Sequence, residues 1–117
     1  MDITKIFSGN IDAKRVCIFL FDFGAGAEDV GGCTSFSDPR AINILINSTS
    51  IHDPEYTLRH EIGHVIYDTD KIHAGTSAQE IEYAAHRRDN LPGVRRKIEA
   101  AIQSMHLNLH TLSTTGA

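Results

Sequence analysis

Two histidines and a glutamate stand close together in the stretch YTLRHEIGHVIY, residues 56–67 of this 117-residue chain. His60 and His64 are four residues apart, so on a helix their side chains project from one face, one turn apart. That spacing lets two neutral imidazoles bind one tetrahedral zinc ion, with Glu61 placed to hold a water molecule and take its proton. The chemistry indicated is hydrolysis of a peptide bond, with Glu61 as general base and general acid.

A helix through this stretch is predicted by its start and its apolar periodicity. Asp53 can cap the helix and Pro54 fits the first helical position. The apolar residues recur at three- and four-residue spacing and form one face: Leu58, Ile62, Val65 and Ile66. Gly63 lets another element approach closely. The alternative interpretation is a solvated histidine stripe on a surface helix.

A catalytic zinc needs a third protein ligand, and four downstream residues are candidates: Asp70, His73, Glu80 and Glu82. Asp70 or His73 would require the first helix to end soon after Tyr67 and the chain to fold back without a glycine to ease the turn. A glutamate on the next predicted helix needs only antiparallel packing of the two helices. From the residues alone Glu82 and Glu80 both stay open, Glu80 being the ligand if the second helix is rotated.

Two segments together, TLRHEIGHVI and EIEYAAHRR, resemble the gluzincin metallopeptidases, in which a later helix supplies a glutamate to a His-Glu-x-x-His site. EYAAH is similar to their Glu-Tyr-x-Ala-Asp pattern and aligns Glu82 with the third ligand. The chain length and a polar-faced strand before the helix resemble the minigluzincins and the ImmA/IrrE-type metallopeptidases of bacteria. The resemblance covers roughly residues 41–90, and it implies Zn²⁺ held by His60, His64 and Glu82, with Glu61 catalytic.

Several residues near this pattern have two interpretations. His86 stands where the family has an aspartate; it either orients a metal-binding histidine or is an unrelated surface residue. Tyr67 or Tyr83 either stabilises the oxyanion of the tetrahedral intermediate or is a packing residue. Cys33 as a fourth, blocking zinc ligand is disfavoured.

The order of elements predicts an α+β fold in a single domain, residues 1–117, because strand-like segments precede helical ones. The predicted strands are 15–23, 33–37 and 41–50. The predicted helices begin at Asp53, at a cap formed by Thr76 or Ser77, and near residue 91. DTDKIHAGTS, residues 68–77, is predicted to be a linker, and residues 107–117 a frayed tail.

The segment AINILINSTS, residues 41–50, alternates isoleucines with a more polar second face. In the resemblance it matches the edge strand of the family. Asn43 and Asn47 on its polar face can then meet an extended peptide, whose backbone would pair with the strand. The alternative is an ordinary solvated strand face.

Composition excludes several classes of function. The formal net charge is −4 and the longest basic run is three residues, so nucleic-acid binding is not supported. The longest apolar run, VCIFLF at 16–21, is too short to span a membrane. No secretory signal is visible, and Cys17 and Cys33 are predicted to be free thiols. We therefore expect a cytoplasmic protein.

The sequence therefore predicts a zinc-dependent metalloprotease that acts on a peptide or protein substrate. Three alternatives remain open. One is a metzincin-like site ending at Asp70, disfavoured because Tyr67 occupies the glycine position of that motif. The second is a latent or inactive zinc-binding module with a closed cleft that recognises a protein partner. The third is a regulatory peptidase that cleaves a repressor or antitoxin.

Overall fold

The computed structural model describes residues 3–107 and Leu112, and it shows the predicted α+β fold. Four strands come first: β1 (Ile3–Ile11), β2 (Lys14–Phe21), β3 (Gly32–Ser35) and β4 (Ile42–Asn47). Four helices follow: α1 (Pro54–Tyr67), α2 (Thr69–His73), α3 (Ala78–Arg88) and α4 (Pro92–Ser104). None of the helices in the described part of the chain has the length and apolar character needed to cross a bilayer.

The strands form one mixed sheet in the order β1-β2-β4-β3. β4 pairs parallel with β2 on one side and antiparallel with β3 on the other, so it is an interior strand. The prediction that residues 41–50 form an edge strand open to a peptide is therefore wrong. The alternation of the segment shows which face is buried, but it cannot show which strands lie on either side. The edge on this side of the sheet is β3.

Two elements were not predicted from the sequence. β1 is largely exposed and has an irregular register between Lys5 and Phe7, which disturbs the alternation that marks a strand. α2 lies inside the segment predicted as a linker. α1 ends at Asp68, and the Thr69 hydroxyl donates to the Val65 carbonyl oxygen at 2.7 Å, which satisfies an acceptor in the last turn of α1 where α2 begins.

The core lies between the sheet and the apolar face of α1, with α4 alongside. Leu58, Ile62 and Val65 have no solvent-exposed surface, and the same holds for Ile44 and Ile46 of β4. Burying each such side chain contributes roughly 1.5–3 kcal/mol, so this contact fixes how α1 is rotated about its own axis. Rotation in turn decides which residues of α1 face away from the core.

A glycine permits the close contact between α1 and β3. A Cβ atom on Gly32 would lie 2.5 Å from the Leu45 carbonyl oxygen and 2.9 Å from Thr57 Cγ2. The first atom belongs to the backbone of β4 and cannot move aside easily. Gly32 therefore lets the N-terminal half of α1 lie directly on the end of the sheet.

Part of the predicted tail packs on the core. Leu107 is half-buried and Leu112 is buried, and both contact the core cluster. The rest of the tail prediction, at 108–111 and 113–117, lies outside the described residues.

Asn47 is buried and holds the loop between β2 and β3, so it does not face a peptide as predicted. Its side-chain oxygen accepts hydrogen bonds from the Phe23 N–H at 3.1 Å and from Thr49. Its amide nitrogen donates to the carbonyl oxygens of Ala27 at 3.0 Å and Val30 at 2.8 Å. The polar side chain at this position thus stabilises the loop.

Replacing Asn47 with alanine is expected to destabilise the protein by roughly 2–4 kcal/mol, because backbone groups of the loop lose their partners. The free energy of unfolding in urea measures this loss. Asn43→Ala, on the same strand but without these contacts, is the matched control and should cost less than about 1 kcal/mol. Equal losses in the two variants would contradict the role assigned to Asn47.

Candidate metal centre

α1 brings the two histidines and the glutamate of the sequence motif to one place. The helix starts as predicted: the Asp53 side chain accepts a hydrogen bond from the Glu55 N–H at 3.1 Å, and Pro54 is the first residue. The rings of His60 and His64 lie edge to face with their centroids 4.6 Å apart. Their Nε2 atoms approach to 3.1 Å.

Glu82 of α3 completes the group. One of its oxygens, Oε1, lies 2.7 Å from His64 Nε2, and the other, Oε2, lies 3.1 Å from His60 Nε2. Ser77 caps the start of α3 by accepting a hydrogen bond from the Glu80 N–H, and Ile81 and Ala85 form the buried face of that helix. His60, Glu61, His64 and Glu82 are therefore clustered closely enough to bind a metal ion.

The other third-ligand candidates lie away from this cluster. Asp70, His73 and Glu80 are exposed, and none belongs to a possible metal-binding group among residues 3–107. The chain does turn directly after Tyr67, which an Asp70 or His73 ligand would have required. The turn leads into α2, however, and Asp70 points to solvent.

The donor atoms fit a metal by their spacing and by their chemistry. Two donors bound to a tetrahedral zinc at about 2.1 Å lie roughly 3.3 Å from one another. The nitrogen–nitrogen distance of 3.1 Å and the His60–Glu82 distances of 3.1 and 3.4 Å are close to that value, whereas the His64–Glu82 distance of 2.7 Å is the length of a hydrogen bond. Three atoms with lone pairs repel at such distances unless a proton or a metal cation lies among them.

Two aspartates set the orientation of the imidazole rings. Asp89 Oδ2 lies 2.8 Å from His60 Nδ1, and Asp68 Oδ2 lies 2.7 Å from His64 Nδ1. A carboxylate only accepts, so each Nδ1 donates and each Nε2 is directed toward Glu82. Such a partner on the far nitrogen is typical of metal-binding histidines.

These aspartates were not identified from the sequence, although each leaves a weak signal. Asp68 lies four residues after His64 and so shares its helical face, while Asp89 lies seven residues, about two turns, after Glu82. Both are also the residues that end their helices. Polar residues at helix ends are common, which is why the spacing alone did not single them out.

Arg88 connects the two aspartates. Its Nη1 donates to Asp68 Oδ2 at 2.7 Å and its Nη2 donates to Asp89 Oδ1 at 2.9 Å. The guanidinium lies against Gly63, where a Cβ atom would be 2.8 Å from Nη2. The close approach predicted at Gly63 is thus the approach of this side chain. Lys71 Nζ lies 3.3 Å from Asp68 Oδ1 as an ion pair without hydrogen-bond geometry.

Glu61 lies beside the three proposed ligands, His60, His64 and Glu82, and lines a cavity. Its side chain is buried, and Thr34 of β3 donates a hydrogen bond to Oε1 at 2.8 Å. Burial raises the pKa of Glu61, and the Thr34 hydrogen bond opposes that rise. The cavity has a volume of about 540 Å³ and is lined by Glu61, His64 and Glu82, by residues 32–37 and by His73.

The charges around the histidines favour a bound cation. Burial alone would lower the pKa of His60, but the Asp89 hydrogen bond and the Glu61 and Glu82 charges raise it to about 9. Burial alone would also lower the pKa of His64, but the Asp68 hydrogen bond together with the Glu61 and Glu82 charges raises it. Without a metal, the site therefore attracts protons.

His86, for which two roles were open, lies next to the cluster. Its ring stacks on His60 with a centroid distance of 5.1 Å and an interplanar angle of 20°. Its Nε2 atom lies 3.7 Å from Glu82 Oε2, and the side chain is largely exposed. His86 does not supply the hydrogen bond that the family aspartate was expected to provide; Asp89, three residues further along, bonds His60 Nδ1.

The remaining predicted residues lie around the site. Tyr67 packs against Arg88 and does not line the cavity, and Tyr83 is exposed on α3. Neither position favours the oxyanion role. Cys33 lines the cavity as a free thiol whose pKa is raised by burial and by the Glu61 charge. It is not part of a possible metal-binding group in the described chain.

The raised pKa of His60 predicts how the stability of the metal-free protein depends on pH. A group whose pKa is raised by folding contributes stability that is present below its unfolded value, 6.5, and lost as pH rises through about 9. In EDTA, the free energy of unfolding should fall by on the order of 3 kcal/mol over this range. Asp89→Asn removes the main stabilising partner and should flatten the dependence; an unchanged slope would refute this assignment.

Comparisons with protein-family models, curated proteins and solved structures found no match to this chain. The resemblance to the gluzincins therefore remains a prediction from the sequence motif. The four clustered residues His60, Glu61, His64 and Glu82 are a site able to bind a metal, and the identity of that metal is a matter for proposal.

Proposed function

We propose that this protein is a zinc-dependent metalloprotease of the gluzincin type. The observation that carries the proposal is the convergence of His60 Nε2, His64 Nε2 and the Glu82 carboxylate within 3.4 Å. Two of these residues, His64 and Glu82, border a cavity that is also lined by the buried Glu61. Three ligands leave the fourth position of a tetrahedral ion open, which is the arrangement of catalytic zinc sites.

Zinc is the metal that suits this donor set. Two imidazoles and one carboxylate are borderline ligands, whereas magnesium and calcium prefer oxygen atoms only. The four carboxylates of Glu61, Glu82, Asp68 and Asp89 outnumber the positive charges of Arg88 and Lys71 by two, so a divalent cation would balance the site. When bound, zinc would lower the pKa of a water molecule to about 7 and polarise a carbonyl group.

Glu61 is proposed to move the proton. Thr34 holds Oε1, so Oε2 is the oxygen that would accept a proton from the attacking water and deliver it to the leaving amine. Burial raises the pKa of Glu61 above that of an ordinary glutamate, which is the direction that favours a general base.

The substrate proposed is an extended peptide along β3. β3 is the outer strand of the sheet on the side of the cavity, and residues 32–37 line that cavity. The unpaired backbone groups of an edge strand can pair with an added strand. A peptide there would pass Thr34, whose hydroxyl contacts Glu61. The open cavity weighs against the closed cleft expected of an inactive module. A regulatory role with a repressor or antitoxin stays a prediction.

The metal content of the purified protein tests the ligand set. Wild type should carry roughly one zinc per chain, measured by mass spectrometry under native conditions. Glu82→Ala should lose most of it, because one of three ligands is removed. Glu80→Ala, two residues away on the same helix and exposed, is the matched control and should retain it. A wild type that binds no added zinc, or a Glu82→Ala variant that binds it as before, would count against this site.

The Glu61→Gln variant tests the mechanism separately from metal binding. It should keep its zinc but lose cleavage of fluorescently labelled, unfolded casein by a factor of at least about 10². The amide is similar in size to the carboxylate but cannot take a proton at neutral pH. Glu80→Gln should cleave at the wild-type rate. Undiminished cleavage by Glu61→Gln would remove Glu61 from the mechanism.

A further inference from the structure

We propose that Arg88 is a positioning residue that fixes the metal-facing nitrogens of both histidines by holding Asp68 and Asp89 at the same time. The inference rests on the proposed metal site. It concerns a side chain that contacts neither His60 nor His64 directly, and it assigns to one residue the orientation of both.

A continuous chain of hydrogen bonds links one histidine to the other behind the site. His60 Nδ1 donates to Asp89 Oδ2 at 2.8 Å, and Asp89 Oδ1 accepts from Arg88 Nη2 at 2.9 Å and from Nε at 3.1 Å. Arg88 Nη1 then donates to Asp68 Oδ2 at 2.7 Å, and the same oxygen accepts from His64 Nδ1 at 2.7 Å. Rotating either ring would break this chain.

The guanidinium group has the shape that this position needs. Its donors are arranged in a rigid planar fork, so three of them can reach two carboxylates in fixed directions. The Arg88 side chain is only 12% exposed, and Asp68 is fully buried. In such surroundings a carboxylate with fewer partners is costly, so the Arg88 charge stabilises both aspartates in addition to the histidines that donate to them. A lysine could supply the charge but not the directions.

Gly63 of α1 makes room for this fork. A side chain there would collide with Arg88 Nη2 at 2.8 Å and would also crowd Asp89 Oδ1 at 3.4 Å. Gly63 lies between the two histidines in the sequence, so the guanidinium lies directly behind the helical turn that carries them. Gly63 occupies one of the two variable positions of the His-Glu-x-x-His motif, and its lack of a side chain leaves space for Arg88.

Arg88 also helps to position Glu82, the proposed third ligand. It belongs to α3, the helix that carries Glu82, and α3 buries only Ile81 and Ala85. With so little apolar contact, the hydrogen bond from Arg88 Nη1 to Asp68 of α1 helps to fix the position of α3 relative to α1. The same residue thus orients the histidines and keeps Glu82 near them.

Zinc affinity, measured by competition with a chromophoric chelator, is the first test. Arg88→Gln should bind zinc about 10- to 100-fold more weakly, the range found when partners of metal-binding histidines are removed. Arg88→Lys should recover part of the loss. Arg87→Gln, the adjacent exposed arginine, is the matched control and should bind as wild type does. Equal affinity in wild type and Arg88→Gln would overturn the proposal.

Gly63→Ala tests the same contact while keeping the arginine. The added methyl group should push the guanidinium away and weaken zinc binding in the same direction, with a folded protein confirmed by circular dichroism. This variant decides the matter if Arg88→Gln does not fold. Unchanged zinc affinity in a folded Gly63→Ala protein would contradict the proposed fit between this position and Arg88.

Nuclear magnetic resonance of the metal-free protein gives a readout that does not depend on zinc. Wild type and Arg87→Gln should show slowly exchanging Nδ1 protons on both His60 and His64. In Arg88→Gln both signals should exchange faster or disappear. Loosening of α3 alone would act on the His60 proton, whose partner Asp89 ends α3, and would spare the His64 proton, whose partner Asp68 ends α1. If wild type binds no zinc, the proposed function fails, and these signals still decide whether Arg88 positions the rings.

Discussion

The rotation of α1 about its own axis is the constraint on which the rest of the structure depends. Leu58, Ile62 and Val65 must lie against the sheet, and their burial leaves one rotation available to the helix. His60 and His64 are then directed toward α3, and Glu61 toward β3 and the cavity. Hydrophobic packing on one face thus determines the chemistry available on the other.

The polar side of α1 is held in place by charge, in contrast to its apolar side. Two aspartates and Arg88 form a buried group behind the histidines, and Glu61 and Glu82 stand beside and in front of them. Buried ion pairs contribute little to stability on balance, since desolvation offsets their attraction. Their effect here is directional, because each carboxylate accepts from one imidazole and leaves its other nitrogen facing Glu82.

The sheet positions Glu61 and lines one side of the cavity next to it. Its outer strand, β3, supplies Thr34 to Glu61, and the glycine at its start allows α1 to lie close to the strand. Asn47 holds the loop before β3 by hydrogen bonds to its backbone. The proposed peptide-binding edge therefore depends on Gly32 and Asn47, whose own roles are structural.

Local signals in the sequence determined the α+β order, the start of α1 at Asp53 and Pro54, and the pairing of His60 with His64, because capping and helical periodicity depend on neighbouring residues. Tertiary structure alone decided that β4 is interior, that β1 exists, and that Asp68, Asp89 and Arg88 meet behind the histidines. Strand order and ion pairs between helices depend on contacts distant in the chain. No spacing encodes such contacts, since many partners are compatible with the same local pattern.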